Sequence, residues 1–265
     1  MTLPKQARTV RIQSLARASV ILETISRNGV ASLAVICKAT GFNKTTAFYL
    51  LESLVDLGFA ERTEAPRGYR LGLRNLELGK AVQRRMNLLK VSRPALIRLC
   101  SATRETVNLA VPYLPDALIV ESLEGSYGIR ATSYAGTRAP HHATACGKAI
   151  LAHVEETTRL AIYADRPLVA FTPNTLTDAA SLERQLVEVR RIGYALDLEE
   201  MEDSAHCVAA AIFDAFGQVA GAISLSGPKS RMTLPALTEA ARLIVAETAA
   251  ITKRLANGHG PADAA

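Results

Sequence analysis

Five side chains with metal-ligand or nucleophile chemistry crowd two short stretches, His141, His142 and Cys146 in the first and His206 and Cys207 in the second. His142 and Cys146 stand four apart, so on a helix they would share one face at a spacing that zinc accepts. A thiol beside an imidazole is also the raw material of a nucleophile. A structural metal site, however, wants four converging ligands, and the remaining histidines are distant in sequence. A working thiol needs a positioned base and an oxyanion hole, and no motif supplies the latter. The reading taken is no metal, no cofactor and no catalytic residue, with Cys207 as a small polarizable wall. A different pair, Ser224 and Ser226 in ISLSG, stands two apart. On a strand the period of two puts these hydroxyls on one face and Ile223 with Leu225 on the other. The serines then either line a small polar pocket or face solvent. The acidic run Glu199, Glu200, Glu202, Asp203 is expected in a solvated loop.

These residues need elements to hold them. HCVAAAIF and QVAGAISLSG read as strands joined by the turn Asp214–Ala215–Phe216–Gly217, a hairpin. TVNLAVPYL and ALIVESL read as two more strands around Pro112 and the Pro115–Asp116 turn. SRPALIRLCSATRE, ATACGKAILAHV, DAASLERQLVEVRRIG and TLPALTEAARLIVAETAAITKRL read as helices, the third burying Leu182, Leu186 and Val189. Helices flanking an antiparallel sheet make this part α+β.

The first ninety residues carry a different pattern. Leu15, Ala18, Leu22 and Ile25 predict one face of a helix ending at Gly29. Ser32 caps a short second helix with Leu33, Ile36 and Cys37 inward, closed by Gly41. A third helix runs from Asn43 to about Leu57, with Ala47, Leu50, Leu51, Leu54 and Val55 as its buried stripe. Phe59–Arg62 and Gly68–Leu71 then make a hairpin around Pro66. Three helices with a tight turn before the third, followed by a hairpin, form a winged helix-turn-helix, in which the third helix enters the DNA major groove. The polar tip of that helix, Asn43, Lys44, Thr45 and Thr46 with Tyr49 one turn on, is then the DNA-reading face, and Arg67 and Arg70 lie in the wing. Capping by Asn43 is the plainer account of the same polar cluster. Residues 74–91, free of proline until Pro94, predict a linker helix whose apolar positions suit a second subunit.

Charge agrees with this division. Of the 31 Lys+Arg and 25 Asp+Glu, residues 1–90 hold 15 and 6, a balance of +9, and the remainder is −3. A basic first third suits a polyanionic partner, and it also suits a solubilising surface. At 49% apolar and 21% charged, the 265-residue chain is globular, with length for one large or two modest domains. No run reaches the ~18 apolar residues of a membrane span, and the basic N-terminus lacks the apolar core of a secretory signal. Four scattered cysteines without a CxxC pair read as reduced thiols of a cytoplasmic protein.

RAPHHATACGKAILAHV and GYALDLEEMEDSAHCVAAAIFDAFGQVAGAISLSGPKSRMT strongly resemble the effector-binding domain of the IclR family of bacterial transcriptional regulators. GFNKTTAFYLLESLVDLGFAERTEAPRGYRLGLRNLELG is similar to that family's recognition helix, wing and linker start, so the resemblance covers about residues 14–257. It implies a winged-helix DNA domain, a linker helix and a GAF-like domain that binds a small metabolite, assembled as a dimer or tetramer. Carried over by motif, the ligand contacts implied are Gly147, Asp197, Cys207, Ser224 and Ser226, with helix-start NH groups near Gly147 suited to an anionic ligand group. The sequence departs from the family pattern at three positions. Tyr49 stands where an arginine is typical, His206 where an arginine precedes the cysteine, and His141 where an apolar residue precedes the motif histidine. The last two are expected to alter which effector is bound.

The expected organisation is a winged helix-turn-helix DNA-binding domain over 1–75, a linker helix over 76–91, an α+β effector-binding domain over 92–257 and a disordered tail over 258–265. The expected function is transcriptional regulation, with a palindromic operator bound by a homo-oligomer and affinity or activity modulated by a small organic acid. A cytosolic enzyme acting on a small acid through the C-terminal domain is the alternative, and a DNA-binding adaptor with an empty C-terminal domain is a second.

Overall fold

A computed structural model describes residues 12–257, so residues 1–11 and the expected tail at 258–265 lie outside the described residues. The chain forms two compact units, one ending at Arg85 and the other beginning at Met86.

The first unit opens with three helices, α1 (Gln13–Asn28), α2 (Leu33–Thr40) and α3 (Lys44–Asp56). Each boundary has a local cause. Ser32 Oγ accepts from the Val35 N–H at 3.3 Å, and Asn43 Oδ1 accepts from the Thr46 N–H at 2.8 Å, so both side chains satisfy first-turn donors. Gly29 and Gly41 end α1 and α2 at φ 67° and 72°. Ile21, Ile25, Ile36, Ala47 and Leu51 are completely buried between the helices, each large one adding about 1.5–3 kcal/mol by leaving water. Leu15, expected inward, is 63% exposed, and the buried side of α1 is Ile21, Thr24 and Ile25. The first turns of α1 bury no residue, so its packed part begins at Ile21.

Strands β1 (Ala60–Glu64) and β2 (Arg67–Leu71) pair antiparallel into the hairpin. Ala31 and Tyr69 exchange backbone hydrogen bonds at 2.9 Å, stitching β2 to the loop before α2. This close approach explains Gly68, where an added Cβ would sit 2.9 Å from the Ala31 carbonyl oxygen. Helix α4 (Arg74–Arg85) completes the unit without burying a residue.

The helix expected over 74–91 is therefore two helices. Met86, at φ −80° and ψ 98°, breaks α4 from α5 (Asn87–Thr103), so the expected boundary at 91/92 falls inside α5. Pro94 misled that reading because it sits within α5, where an interior proline costs about 3 kcal/mol. Burial of Leu89, Val91, Leu96 and Leu99 offsets it.

The second unit wraps helices around one antiparallel sheet of six strands in the order β5-β4-β3-β8-β7-β6. They are β3 (Thr106–Tyr113), β4 (Asp116–Leu123), β5 (Arg138–Pro140), β6 (Ala195–Leu198), β7 (Ala205–Phe213) and β8 (Val219–Pro228). On one face α5 and α9 (Leu234–Ala256) pack on Leu109, Val208, Ile212, Ile223 and Leu225. On the other, α6 (Ala145–Leu151) and α8 (Ala179–Ile192) pack on Ala110, Ala117, Ala195, Ala209 and Ala222. One face carries branched residues and the other alanines, and the alanine face has room for something else. Short β5 and β6 and helix α7 (Glu156–Asp165) carry no long periodic run and were not anticipated.

Candidate functional site

Two surfaces carry chemistry, one on each unit. On the first unit, α2, α3 and the hairpin border an open groove of about 850 Å³, with Ser32, Lys44, Phe48, Arg62 and Arg67 among its walls. Lys44, Thr45 and Tyr49 are exposed at the start of α3, and Thr46 is half-buried. Among the described residues no ion pair engages Lys44 or Arg67. Arg70 differs, because its guanidinium is held by Glu61 at 2.8 Å, and Arg62 is held by Glu52. Asn43 has both roles open to it in sequence, and here its carbonyl oxygen is spent on the cap. Phe48 was missed from sequence. It is 41% exposed, stands edge-on to Tyr49 with ring centroids 5.9 Å apart, and lines the groove.

On the second unit a cavity of about 190 Å³ opens on the alanine face of the sheet. Strand register builds it. Asp197 pairs with Cys207, Cys207 with Ser226 and Ser226 with Thr106, so one row of polar side chains crosses β6, β7, β8 and β3. The adjacent row sets Ala209 beside Ser224 and Ser224 beside Asn108. Ser224 and Ser226 are buried against this cavity and do not face solvent. Of the five positions implied by the motifs, Asp197, Cys207, Ser224 and Ser226 line one chamber. Gly147 does not. Its N–H is bonded to Thr144 Oγ1 at 3.1 Å, and an added Cβ would lie 2.6 Å from the Pro140 carbonyl oxygen. Its place is a close backbone crossing behind Cys146, which does line the cavity.

Asn108 and Cys146 are cavity residues that sequence reasoning missed. Asn108 Nδ2 donates to Ser224 Oγ at 3.4 Å, while its Oδ1 is buried with no partner among the described residues. The signal was available, since Asn108 is a polar residue inside the apolar run TVNLAV.

Burial sets the electrostatics. Desolvation raises Asp197 from 3.8 to about 6, against the pull of N–H donors from Glu200 and Met201 on its Oδ1. Burial raises the Cys146 thiol to about 11, and burial followed by the Asp197 charge pushes Cys207 well above the ordinary thiol range. Protonated thiols are poor nucleophiles and poor metal ligands. The expected solvated acidic loop is corrected at Glu200, while Glu202 and Asp203 are exposed. Glu200 is 5% exposed, and both its oxygens accept from Lys148 Nζ at 2.5 Å, with Lys148 entirely buried behind the cavity wall. A lysine in a helix of small residues carried no sequence signal of burial.

The two unusual histidines do not reach this cavity. His206 Nδ1 lies 2.8 Å from the Met232 carbonyl oxygen, and His141 borders a separate chamber. His142 Nε2, 2.9 Å from the Val169 carbonyl oxygen, also faces away from Cys146's cavity, so the pair expected at zinc spacing diverges. Among the described residues no three histidine, cysteine or acidic side chains converge as a metal site would require.

A winged helix-turn-helix with unpaired basic side chains about its third helix and wing, in one chain with a sheet-built polar cavity, has the architecture of a DNA-binding transcriptional regulator with a sensor domain. The comparisons specify which kind. The family described as IclR helix-turn-helix domain matches residues 14–64, and bacterial transcriptional regulator IclR C-terminal matches residues 80–252. The chain belongs to the IclR family of bacterial transcriptional regulators. It is 36% identical over 222 residues to the HTH-type transcriptional regulator BhcR of Paracoccus denitrificans, covering 84% of this chain and 80% of that one. It is 31% identical over 247 residues to the transcriptional repressor IclR of Escherichia coli, covering 92% and 90%. Among solved structures, an IclR homologue from Microbacterium hydrocarbonoxydans in complex with 4-hydroxybenzoate superposes with a TM-score of 0.75 at 27% identity, covering 91% of this chain and 99% of that one. No helix of the described residues is long and apolar enough to cross a membrane.

Proposed function

We propose that the protein reads a two-fold operator through the tip of α3 and the wing, and that a small organic acid in the sheet cavity modulates that binding. The observation that carries the sensor half is the buried row Asp197–Cys207–Ser226 beside Ser224 and Asn108. These are polar groups on a sheet face otherwise packed with alanine, where polar burial is costly unless something pairs with it. At about 190 Å³ the chamber is below the size that encloses drug-like ligands, which favours a metabolite of few heavy atoms. The serine hydroxyls can donate to a carboxylate, as can the Ala145 and Cys146 N–H groups, which have no intrahelical acceptor in the first turn of α6. Ionised Asp197 instead accepts, from a hydroxyl or ammonium elsewhere on the ligand, so the effector is bifunctional. The relative with 4-hydroxybenzoate, a hydroxylated carboxylate, supports that class.

A cytoplasmic homo-oligomer fits this reading. Leu76, Leu78 and Val82 of α4 are 58%, 49% and 62% exposed, apolar surface that a second copy would cover. The effector reading is tested by thermal shift of the full chain against small hydroxy and amino acids. A ligand at a hundred times its dissociation constant adds about 2.7 kcal/mol of stability. Ser224→Ala with Ser226→Ala is expected to remove the shift, and a double variant that responds like the parent would overturn the assignment.

A further inference from the structure

A second chamber, of about 170 Å³, lies on the other side of the segment that leads into α6, and Pro140 borders both cavities. Its walls are largely hydrocarbon and aromatic, from Leu151, Ile162, Leu168 and Phe171 together with three prolines. Its other polar members, Asp116, His142, Tyr163 and Arg166, each have a partner, and the exception is His141. This imidazole is 3% exposed, lines the chamber, and has no hydrogen-bond partner for either ring nitrogen among the described residues. The neighbouring His142 is occupied, since Val169's carbonyl oxygen can only accept and so takes the Nε2 proton.

An imidazole buried without partners is expensive, because each ring nitrogen forfeits a bond that water would supply. Burial pushes the His141 pKa down to about 3, with the neighbouring His142 adding to the shift, so the ring is neutral at physiological pH. A neutral ring offers one N–H donor and one lone-pair acceptor. A hydroxyl group answers either, donating to the bare nitrogen or accepting from the other. An apolar protein cavity of about 150 Å³ stays dry and takes benzene. The present chamber is of that size, and His141 is the polar group on its wall whose ring nitrogens lack partners among the described residues. Arg166 and Asp116 also border it as a loose ion pair at 3.7 Å that water reaches, and the Tyr163 hydroxyl donates to Glu183 at 2.8 Å, which leaves His141 as the buried group in want of a partner.

We propose that this chamber is a second small-molecule site, which takes a single-ring phenol with its hydroxyl against the His141 imidazole. The site is separate from the sheet cavity, to which His141 contributes nothing, and it stands whether or not that cavity binds an organic acid.

The test is calorimetric titration of the full-length protein with phenol and with benzene, joined to NMR of the histidine ring nitrogens. The parent is expected to bind one phenol per chain, about tenfold or more tighter than benzene, with the His141 ring signals shifting. His141→Leu is expected to lose that preference while still taking benzene. His141→Gln, which keeps a donor and an acceptor, is expected to retain it, and with the NMR shifts decides the matter should the leucine variant not fold. Three results would overturn the proposal. Equal affinity for phenol and benzene would mean an apolar void without a hydroxyl site. Absent phenol binding with unmoved His141 signals would mean that the ring holds ordered water only. Loss of phenol binding in Ser224→Ala with Ser226→Ala, but not in His141→Leu, would place the phenol in the sheet cavity instead.

Discussion

The proposed reading face of the first unit and the sheet cavity of the second are both built from polar side chains, and they differ in almost every other physical respect. The reading face takes its groups from neighbours in sequence, Asn43 to Tyr49 and Arg67 to Arg70, and leaves most of them in water. The cavity gathers Asn108, Cys146, Asp197, Cys207, Ser224 and Ser226 from five elements and takes all but the half-buried Cys207 out of water. Charges on an exposed face are screened and cheap to keep, so evolution can hold them for a partner at little cost in stability. Groups in the cavity are desolvated, so each must be paired, neutralised or held for a ligand. The comparison teaches where a mutation registers: on the face it should alter binding and spare folding, and among the buried groups it should alter folding wherever it strands a charge.

Lys148 should show this most strongly. Removing it with Lys148→Ala strands the buried Glu200 carboxylate, and breaking such a pair costs about 3–5 kcal/mol. Denaturant unfolding should register that loss, and Lys148→Met combined with Glu200→Leu should recover most of it. A single variant as stable as the parent would break the comparison on its buried side. Next in size is the exposed side. Alanine at Lys44, Thr46 and Arg67 together should weaken operator binding by about a hundredfold or more, and Lys44→Ala alone should flatten the salt dependence by roughly one unit of slope. Fluorescence anisotropy across salt concentrations reads both, while the unfolding midpoint should barely move. Tyr49→Ala should instead alter relative affinity among operator variants.

Asp197 sharpens the contrast through pH. Its folded pKa, about 6, is above the unfolded 3.8, so the folded state holds the extra proton between these values. Stability from this group is therefore greatest below about pH 4, falls as pH rises to about 6 and stays lower above it. The swing is roughly 2–3 kcal/mol. Asp197→Asn keeps an oxygen for the Glu200 and Met201 N–H groups and removes the titration. Relative to the parent it should gain stability above pH 6 and gain none below pH 4, measured by melting temperature across pH. The smallest effect belongs to Glu61. As an exposed partner of Arg70 it should contribute less than about 1 kcal/mol, so Glu61→Gln should leave stability almost unchanged. By releasing Arg70 it should slightly raise DNA affinity at low salt.

Local signals carried far into this protein. Caps at Ser32 and Asn43, glycine stops at Gly29 and Gly41, the leucine stripe of α3 and the period of two in ISLSG are all settled by neighbours within one or two turns, and the structure agrees with them. Leu15 and Pro94 show the limit. Whether Leu15 is covered depends on what packs beside the start of α1, and whether Pro94 breaks a helix depends on how much apolar surface that helix buries elsewhere. Motif resemblance extended the reading to Asp197, Cys207 and the serines, because those residues sit in recognisable strings.

What sequence alone determined was the long helices and strands with strong periodicity, the basic character of the first unit, and the family with its regulator chemistry. Tertiary structure alone decided that Asp197, Cys207, Ser226 and Thr106 form one row, that Gly147 and His141 stand outside it, and that Glu200 is buried on Lys148. The physical reason is range. Capping, turns and amphipathic faces are written by contacts between residues close in the chain, whereas strand register and desolvation are set by whichever distant segment packs alongside.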